Sequence, residues 1–366
     1  MSHLVDVSQL TPTQLPIAWY LDPNILDLEK RVIFSAGPGY AGHEIMVPNI
    51  GDYYVPEWTS NAKLLVRNHV GIELLSNVCR HRQSLLLKGR GNTRNIVCPV
   101  HRWTYDLTGK LLGAPHFAEN PCLNLARTRL QNWNGLLFGG KRNVASDLAE
   151  LGVLKDLDFS GHVLERVQVE KYACNWKTFI EVYLEDYHVE PYHPGLGNFV
   201  NTAELRWEFG DWYNVQTVGV NSGLARPGTS VYAKWHEQLL RQTSGSVPQQ
   251  GAIWMLYYPN VMLEWYPHVL IISTLYPTEP EQCVNVVEFY YPEEIALFER
   301  EFIEAEQAAY HETAVEDDEI CTLISEGRRA LYEQGVNETG PYQSPLEDGM
   351  VHFHKFLRRE IGPYLR

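Results

Sequence analysis

The chain has 366 residues, 45% of them hydrophobic, and 45 acidic against 30 basic side chains give a formal charge of −15. That length suggests two domains with a sizeable core, and the acidic balance argues against nucleic acid and anionic membrane surfaces as partners. No stretch approaches the eighteen or more apolar residues of a membrane span, and the opening MSHLVDVSQLTPTQLP lacks the basic and apolar regions of a signal peptide, so a cytoplasmic protein is expected.

Residues 1–38 read as a lead-in that packs on the catalytic body, with a short helix over 25–36. Gly37-Pro38-Gly39-Tyr40-Ala41-Gly42 matches G-x-G-x-x-G. A dinucleotide site needs a helix to open at that loop. The following HEIMVPNIGDYYV alternates and contains a proline, so it reads as strand, and the glycines read as a turn. The chain then has no evident nicotinamide or flavin site of its own.

Residues 39–146 read as short strands broken by turns, an all-β domain. Within it stand Cys79-x-His81 and, after sixteen residues, Cys98-x-x-His101. Two thiolates and two imidazoles on paired loops are the ligand set of a Rieske 2Fe–2S cluster, the cysteines on one iron and the histidines on the other. Structural zinc also accepts two cysteines and two histidines. A zinc finger, however, groups its cysteines together and its histidines together, whereas each loop here carries one of each. Electron transfer is therefore the first function expected. The remaining cysteines, at 122, 174, 283 and 321, show no paired spacing and read as buried or free thiols in a reducing compartment.

From 147 to 366 the texture changes. NWKTFIEVYLEDYHVEPYH (175–193) carries helical spacing, and 205–290 returns to strands. Residues 292–335 form one long helical run, with Pro292 at its start and Gly335 at its stop. Spacing alone gives an α+β domain. Glu185, His188 and His193 make E-x-x-H-x4-H. Two histidines and one remote carboxylate form the facial triad of a mononuclear non-haem Fe(II) site. A histidine pair alone is weak, but this one follows by about ninety residues a cluster that otherwise has nothing to reduce. The run Glu316-Asp317-Asp318-Glu319 offers the remote carboxylate, and its other three members read as a solvated acidic face.

Strand 252–266 is rich in aromatic residues, of which period two would turn half toward a pocket. Trp254, Tyr257 and Trp265 are the candidate substrate contacts. A cage for a trimethylammonium group, worth about 0.5–2 kcal/mol per cation–π contact, a flat slot for an arene, and ordinary core packing all fit. Glu264 and His268 satisfy polar groups in either case.

CRHRQSLL (79–86), CPVHRWTYDLTGKLLGAP (98–115) and the E-x-x-H-x4-H run after NWK carry a resemblance. Over most of its length the chain resembles the catalytic α subunit of Rieske-type non-haem iron ring-hydroxylating oxygenases. The resemblance implies an α+β architecture: an all-β Rieske domain, then a helix-grip catalytic domain with a large antiparallel sheet and long covering helices. It implies a terminal oxygenase that uses a Rieske 2Fe–2S cluster, mononuclear Fe(II) and O2 to mono- or dioxygenate a small organic substrate, aromatic or quaternary-ammonium in type. It further implies an external NAD(P)H-linked reductase or ferredoxin donor, a homotrimer, and a place in aromatic-hydrocarbon catabolism. Asp317 matches the family's third ligand position, with Asp318 the alternative. Glu185 matches the residue that bridges two metal centres across a subunit boundary, with His101 as its partner on the cluster side. Glutamate there is the variant of relatives acting on quaternary ammonium compounds. Asp186 competes for that role but would face elsewhere on a helix. Gln83 and Arg102 depart from the pattern, standing where glycines commonly occur. The contrasting reading is a Rieske electron carrier without oxygenase activity, which would have no need of the E-x-x-H-x4-H motif.

Overall fold

Short alternating strands build the region around the four cluster candidates. In the computed structural model, which describes residues 13–56, 62–221, 224–248 and 250–365, this region is the unit Ser35–Ala149. Its largest sheet orders strands Arg90–Asn92, Asp52–Tyr54, Lys63–Arg67, Ile72–Ser76 and Arg127–Thr128. Two three-stranded sheets complete it: Ile96–Val97, Thr104–Tyr105 and Leu111–Gly113, and Tyr40–His43 with Leu136–Phe138 and Gln131–Trp133. Leu64, Val66, Leu75, Ile96, Trp103 and Tyr105 form its core. The G-x-G-x-x-G segment itself enters strand Tyr40–His43, and no α-helix opens at it; the following HEIMVPNIGDYYV, expected as strand, instead forms a 3-10 turn over Glu44–Met46 and returns to strand only at Asp52–Tyr54. Gly39 has φ +62°, and a Cβ there would sit 2.8 Å from the Gly140 nitrogen. Close backbone approach explains that glycine.

The other unit joins the chain start to Glu150–Arg366. The expectation about a signal peptide rests largely on residues 1–12, outside the described residues. Seven antiparallel strands form its sheet. Strands Val200–Gly210, Tyr213–Val220, Ala252–Tyr257, Val261–Tyr266, Val269–Glu279 and Gln282–Pro292 run as a meander, and His162–Tyr172 pairs with the last of them. Ile271, Val287, Phe289 and Tyr291 pack with Trp235, Phe302 and Ala309 of helices Ser230–Gln242 and Arg300–Glu333. Full burial of each such aliphatic or aromatic side chain contributes about 1.5–3 kcal/mol.

Two helical expectations are corrected. The run 292–335 is two helices, Glu293–Phe298 and Arg300–Glu333. Glu299, at φ −116° and ψ 59°, closes the first through its N–H to Ile295 and opens the second by accepting from Phe302 and Ile303. Gly335, at φ +70°, ends the run as a left-handed stop. The segment 175–193 is helical only over Trp176–Tyr183, capped by the Asn175 side chain, and again over Val189–Tyr192. Between them the backbone leaves the helix, and Asp186 N–H donates to Leu346 O at 3.0 Å.

Helix Trp176–Tyr183 is fixed by buried charge. Lys177 Nζ lies 2.8 Å from Glu29 Oε1 on helix Pro23–Val32, both side chains fully buried. Glu181 accepts from Arg328 at 2.7 Å and pairs with His354 at 2.8 Å, and Tyr20 donates to it as well. Burial pushes the Glu181 carboxyl up, but Arg328 and then His354 outweigh it and hold it at about 2. The folded form thus keeps its charge to lower pH than the unfolded chain does. Its contribution is complete above the ordinary glutamate range and drains away as pH falls from about 4.5 through about 2. Glu181→Gln is expected to cost on the order of 3 kcal/mol at neutral pH and to flatten acid unfolding in that window, followed by circular dichroism. Unchanged neutral-pH stability would remove the network from this role.

Candidate metal centres and substrate cavity

Each cluster loop is closed by the same pair of hydrogen bonds. Cys79 N–H donates to Ser84 O at 2.8 Å and Gln83 N–H to Cys79 O at 3.1 Å; Cys98 N–H donates to Trp103 O at 2.8 Å and Arg102 N–H to Cys98 O at 3.1 Å. Gln83 and Arg102 take φ +53° and +59°. They adopt the left-handed backbone that glycine takes freely, which explains why glycine is the usual residue at both places. The thiols of Cys79 and Cys98 are free and buried. The rings of His81 and His101 lie 4.6 Å apart. Trp103 stacks on His81 at 5.0 Å, and Tyr105 Oη reaches Cys79 Sγ at 3.5 Å. His81 Nδ1 is buried without a hydrogen-bond partner. An orphaned imidazole nitrogen beside two buried thiols suits a 2Fe–2S cluster.

In the second unit, His188, His193 and Asp317 each offer a ligand atom, all within 4.8 Å of one another. The two Nε2 atoms are 3.0 Å apart, and Asp317 Oδ1 lies 3.5 Å from one and 3.1 Å from the other. The opposite nitrogens are both anchored: His188 Nδ1 bonds Glu185 Oε1, and His193 Nδ1 bonds Glu316 Oε2 at 2.7 Å. Donation from both Nδ1 atoms turns both Nε2 lone pairs inward, the tautomer a divalent cation requires. Burial pushes the Asp317 carboxyl up, yet its bonds from His188 and His193 prevail and hold it below the usual range. Glu316 is not part of a solvated face, as the sequence suggested. The His193 ring spans it and Asp317, so two successive helix residues serve one imidazole. Glu319 is also engaged, accepting from Tyr192 Oη at 3.1 Å.

The break after Tyr183 shapes the site. It frees Glu185 to take the His188 N–H on Oε2 at 3.0 Å while Oε1 holds the ring. It also turns Asp186 inward. Asp186 does not face elsewhere but lines the cavity, 2% exposed, and burial pushes its carboxyl up to about 7.

A cavity of about 90 Å³ adjoins the two histidines and Asp317. Trp254 lines it, whereas Tyr257 and Trp265 do not. Strand parity is the reason: residues an odd number apart point to opposite faces. Trp265 lines a separate cavity with His162 and His268. The cavity face of the neighbouring strand carries Met262, Glu264 and Tyr266; Glu264 is where the sequence expected a polar group, His268 is not on this cavity, and Met262 and Tyr266 were not among the expected contacts. Trp254 and Glu264 are register partners, so the phase of one strand, once known, fixes the other. Trp254 Nε1 donates to Tyr266 Oη at 2.9 Å, and Tyr266 Oη donates to Glu264 Oε2 at 3.2 Å. Burial pushes Glu264 up to about 8 against that hydrogen bond, with Glu306 and Asp317 adding to the rise. No cationic side chain among the described residues pairs with it. Gln216 Oε1, Asn285 Oδ1 and Asp186 Oδ2 also line the cavity, buried and without hydrogen-bond partners. All are acceptors.

Comparison with known proteins agrees with both units. Residues 50–132 match the Rieske [2Fe-2S] domain, and residues 154–362 the ring hydroxylating alpha subunit (catalytic domain). Putrescine 2-hydroxylase of Ralstonia nicotianae is 60% identical over 98% of this chain and 99% of its own. The Bordetella bronchiseptica putrescine 2-hydroxylase is 52% identical over 99% and 87%. The structure of a quaternary ammonium Rieske monooxygenase, described for carnitine oxidation and inter-subunit electron transfer, superposes with a TM-score of 0.75 at 19% identity, covering 96% of each chain. Nothing here supports an electron carrier without oxygenase activity. No helix among the described residues is long and apolar enough to cross a membrane. The chain is thus an oxidoreductase that works with a Rieske cluster, non-haem iron and O2, and it belongs to the Rieske oxygenases, as a catalytic subunit of the ring-hydroxylating type.

Proposed function

We propose that this oxygenase hydroxylates a C–H bond of a small aliphatic diamine such as putrescine. Glu264 carries the reading: a buried carboxylate without a cation of its own, facing the cavity beside the candidate iron ligands. Burial holds this carboxyl largely protonated near neutral pH, and it ionises fully only where a cation pairs with it. Three further acceptors look into the same space, and a primary ammonium supplies three donors and no acceptor. Trp254 and Tyr266 add ring faces for the cation. A trimethylammonium group has no N–H to give these acceptors. The two putrescine 2-hydroxylases support the same substrate class. Aromatic-hydrocarbon catabolism is withdrawn, since the relatives are named for amines and quaternary ammonium compounds.

The balance is R–H + O2 + two electrons + two protons giving R–OH and water, the electrons coming from an NAD(P)H-linked reductase or ferredoxin. Bound metal supplies the one-electron relay and the activation of O2. Cys79, His81, Cys98 and His101 would hold the cluster, and His188, His193 and Asp317 the mononuclear iron. Glu185 and Glu316 fix the two histidine tautomers. Glu264 orients the substrate ammonium, and the cavity wall limits water. We assign Glu185 the further task of passing electrons from His101 of a neighbouring chain, in a closed homotrimer.

Oxygen uptake with reductase and NAD(P)H tests the reading. Putrescine is expected to give a hydroxylated diamine at a rate well above carnitine or choline. Glu264→Gln should raise KM for putrescine by about 100-fold, with a smaller change in kcat. Putrescine turnover no faster than carnitine turnover would refute the substrate class.

A further inference from the structure

Resting on the diamine reading, we infer that Asp186 is a second ammonium anchor, holding one end of the diamine while Glu264 holds the other. Asp186 is 2% exposed, lines the cavity, and presents a buried Oδ2 with no hydrogen-bond partner. Its own N–H is tied to Leu346 O, which fixes the backbone that aims it. No lysine or arginine among the described residues pairs with it. A buried carboxylate held rigidly with an empty acceptor is out of balance until a donor cation arrives.

The two anchors stand at different places. Asp186 is on the irregular segment between helices Trp176–Tyr183 and Val189–Tyr192, two residues before His188. Glu264 is on the sheet, in register with Trp254 and accepting from Tyr266 Oη. A diamine spanning them lies along the wall that carries the ligand triad, with Gln216 Oε1 as a further acceptor. The amide of Gln216 is oriented by its Nε2 donating to Tyr183 O at 2.8 Å, so the oxygen is the atom left for a ligand. One ammonium leaves one carboxylate unmatched; two match both. Asp186 thereby sets preference for diamines over monoamines and fixes which carbon faces the iron.

The test compares putrescine with n-butylamine and N-acetylputrescine, which keep the chain but lose one charge. The holoenzyme is expected to prefer putrescine over both by about 30-fold or more in kcat/KM. Asp186→Asn should collapse that preference by raising KM for putrescine and lowering it for n-butylamine, which no longer leaves a carboxylate unmatched, and should shift the product regiochemistry. Asp186→Glu should recover part of the preference. Anaerobic calorimetry should show the same loss of putrescine affinity without turnover. If Asp186→Asn lowers both amines equally, or keeps the putrescine preference, Asp186 is not an anchor. If the wild-type enzyme does not discriminate against n-butylamine, the two-ended clamp is wrong whatever the variant does. Failure of the wild type to oxygenate putrescine at all overturns the substrate reading itself.

Discussion

Asp317→Ala is expected to remove the mononuclear iron and lower oxygenation by a thousand-fold or more, on the order of the whole metal contribution. Iron per chain should fall from three to two, while the rhombic EPR signal of the reduced cluster persists. The separation is sharp because the two centres are built from different units of the chain. Asp318→Ala is the control: Asp317 Oδ1, not the neighbouring carboxylate, approaches both imidazoles. Glu316→Gln should fall between them, with iron affinity reduced roughly 10- to 100-fold, since it loses the charge that holds His193 Nδ1 but not a ligand. Full iron content in Asp317→Ala would move the third ligand elsewhere.

Glu185→Gln should leave cluster reduction by the reductase at its normal rate and cut steady-state oxygenation by about 100-fold or more. Glu185 bonds both the ring and the backbone N–H of His188, so some loss of iron affinity is also expected, and activity must be expressed per bound iron. The informative measurement is a single turnover. Pre-reduced cluster, mixed with substrate and oxygen, should be reoxidised far more slowly than in the wild type. Glu185→Asp keeps the charge on a shorter arm and should retain partial activity. Reoxidation at the wild-type rate in the glutamine variant would show that electrons take another route.

The two cluster loops were legible because a short loop must keep its ligands close in sequence. The histidine pair was legible for the same reason. Asp317 was not, since nothing local links an acidic helix position to a distant histidine; the family resemblance supplied it. Glu316 was hidden by its setting, because a run of four acids looks like a solvated face until the His193 ring is seen against it. Helical spacing over 176–183 carried past its end, for no glycine marks where the chain leaves the helix to free Glu185 and Asp186. The aromatic strand announced a pocket wall without its phase. Period two cannot say which parity faces inward, so Tyr257 and Trp265 read as well as Tyr266.

The Glu29–Lys177 pair has a bearing on how the chain is made. Glu29 lies early in the sequence, and its fully buried cationic partner, Lys177, is not synthesised until the entire Ser35–Ala149 unit has emerged. Domains fold largely as units while synthesis proceeds. On the ribosome the cluster-bearing unit is therefore complete while helix Pro23–Val32, although older, still waits for Trp176 and Lys177 to seat it. A helix translated early is among the last to find its place.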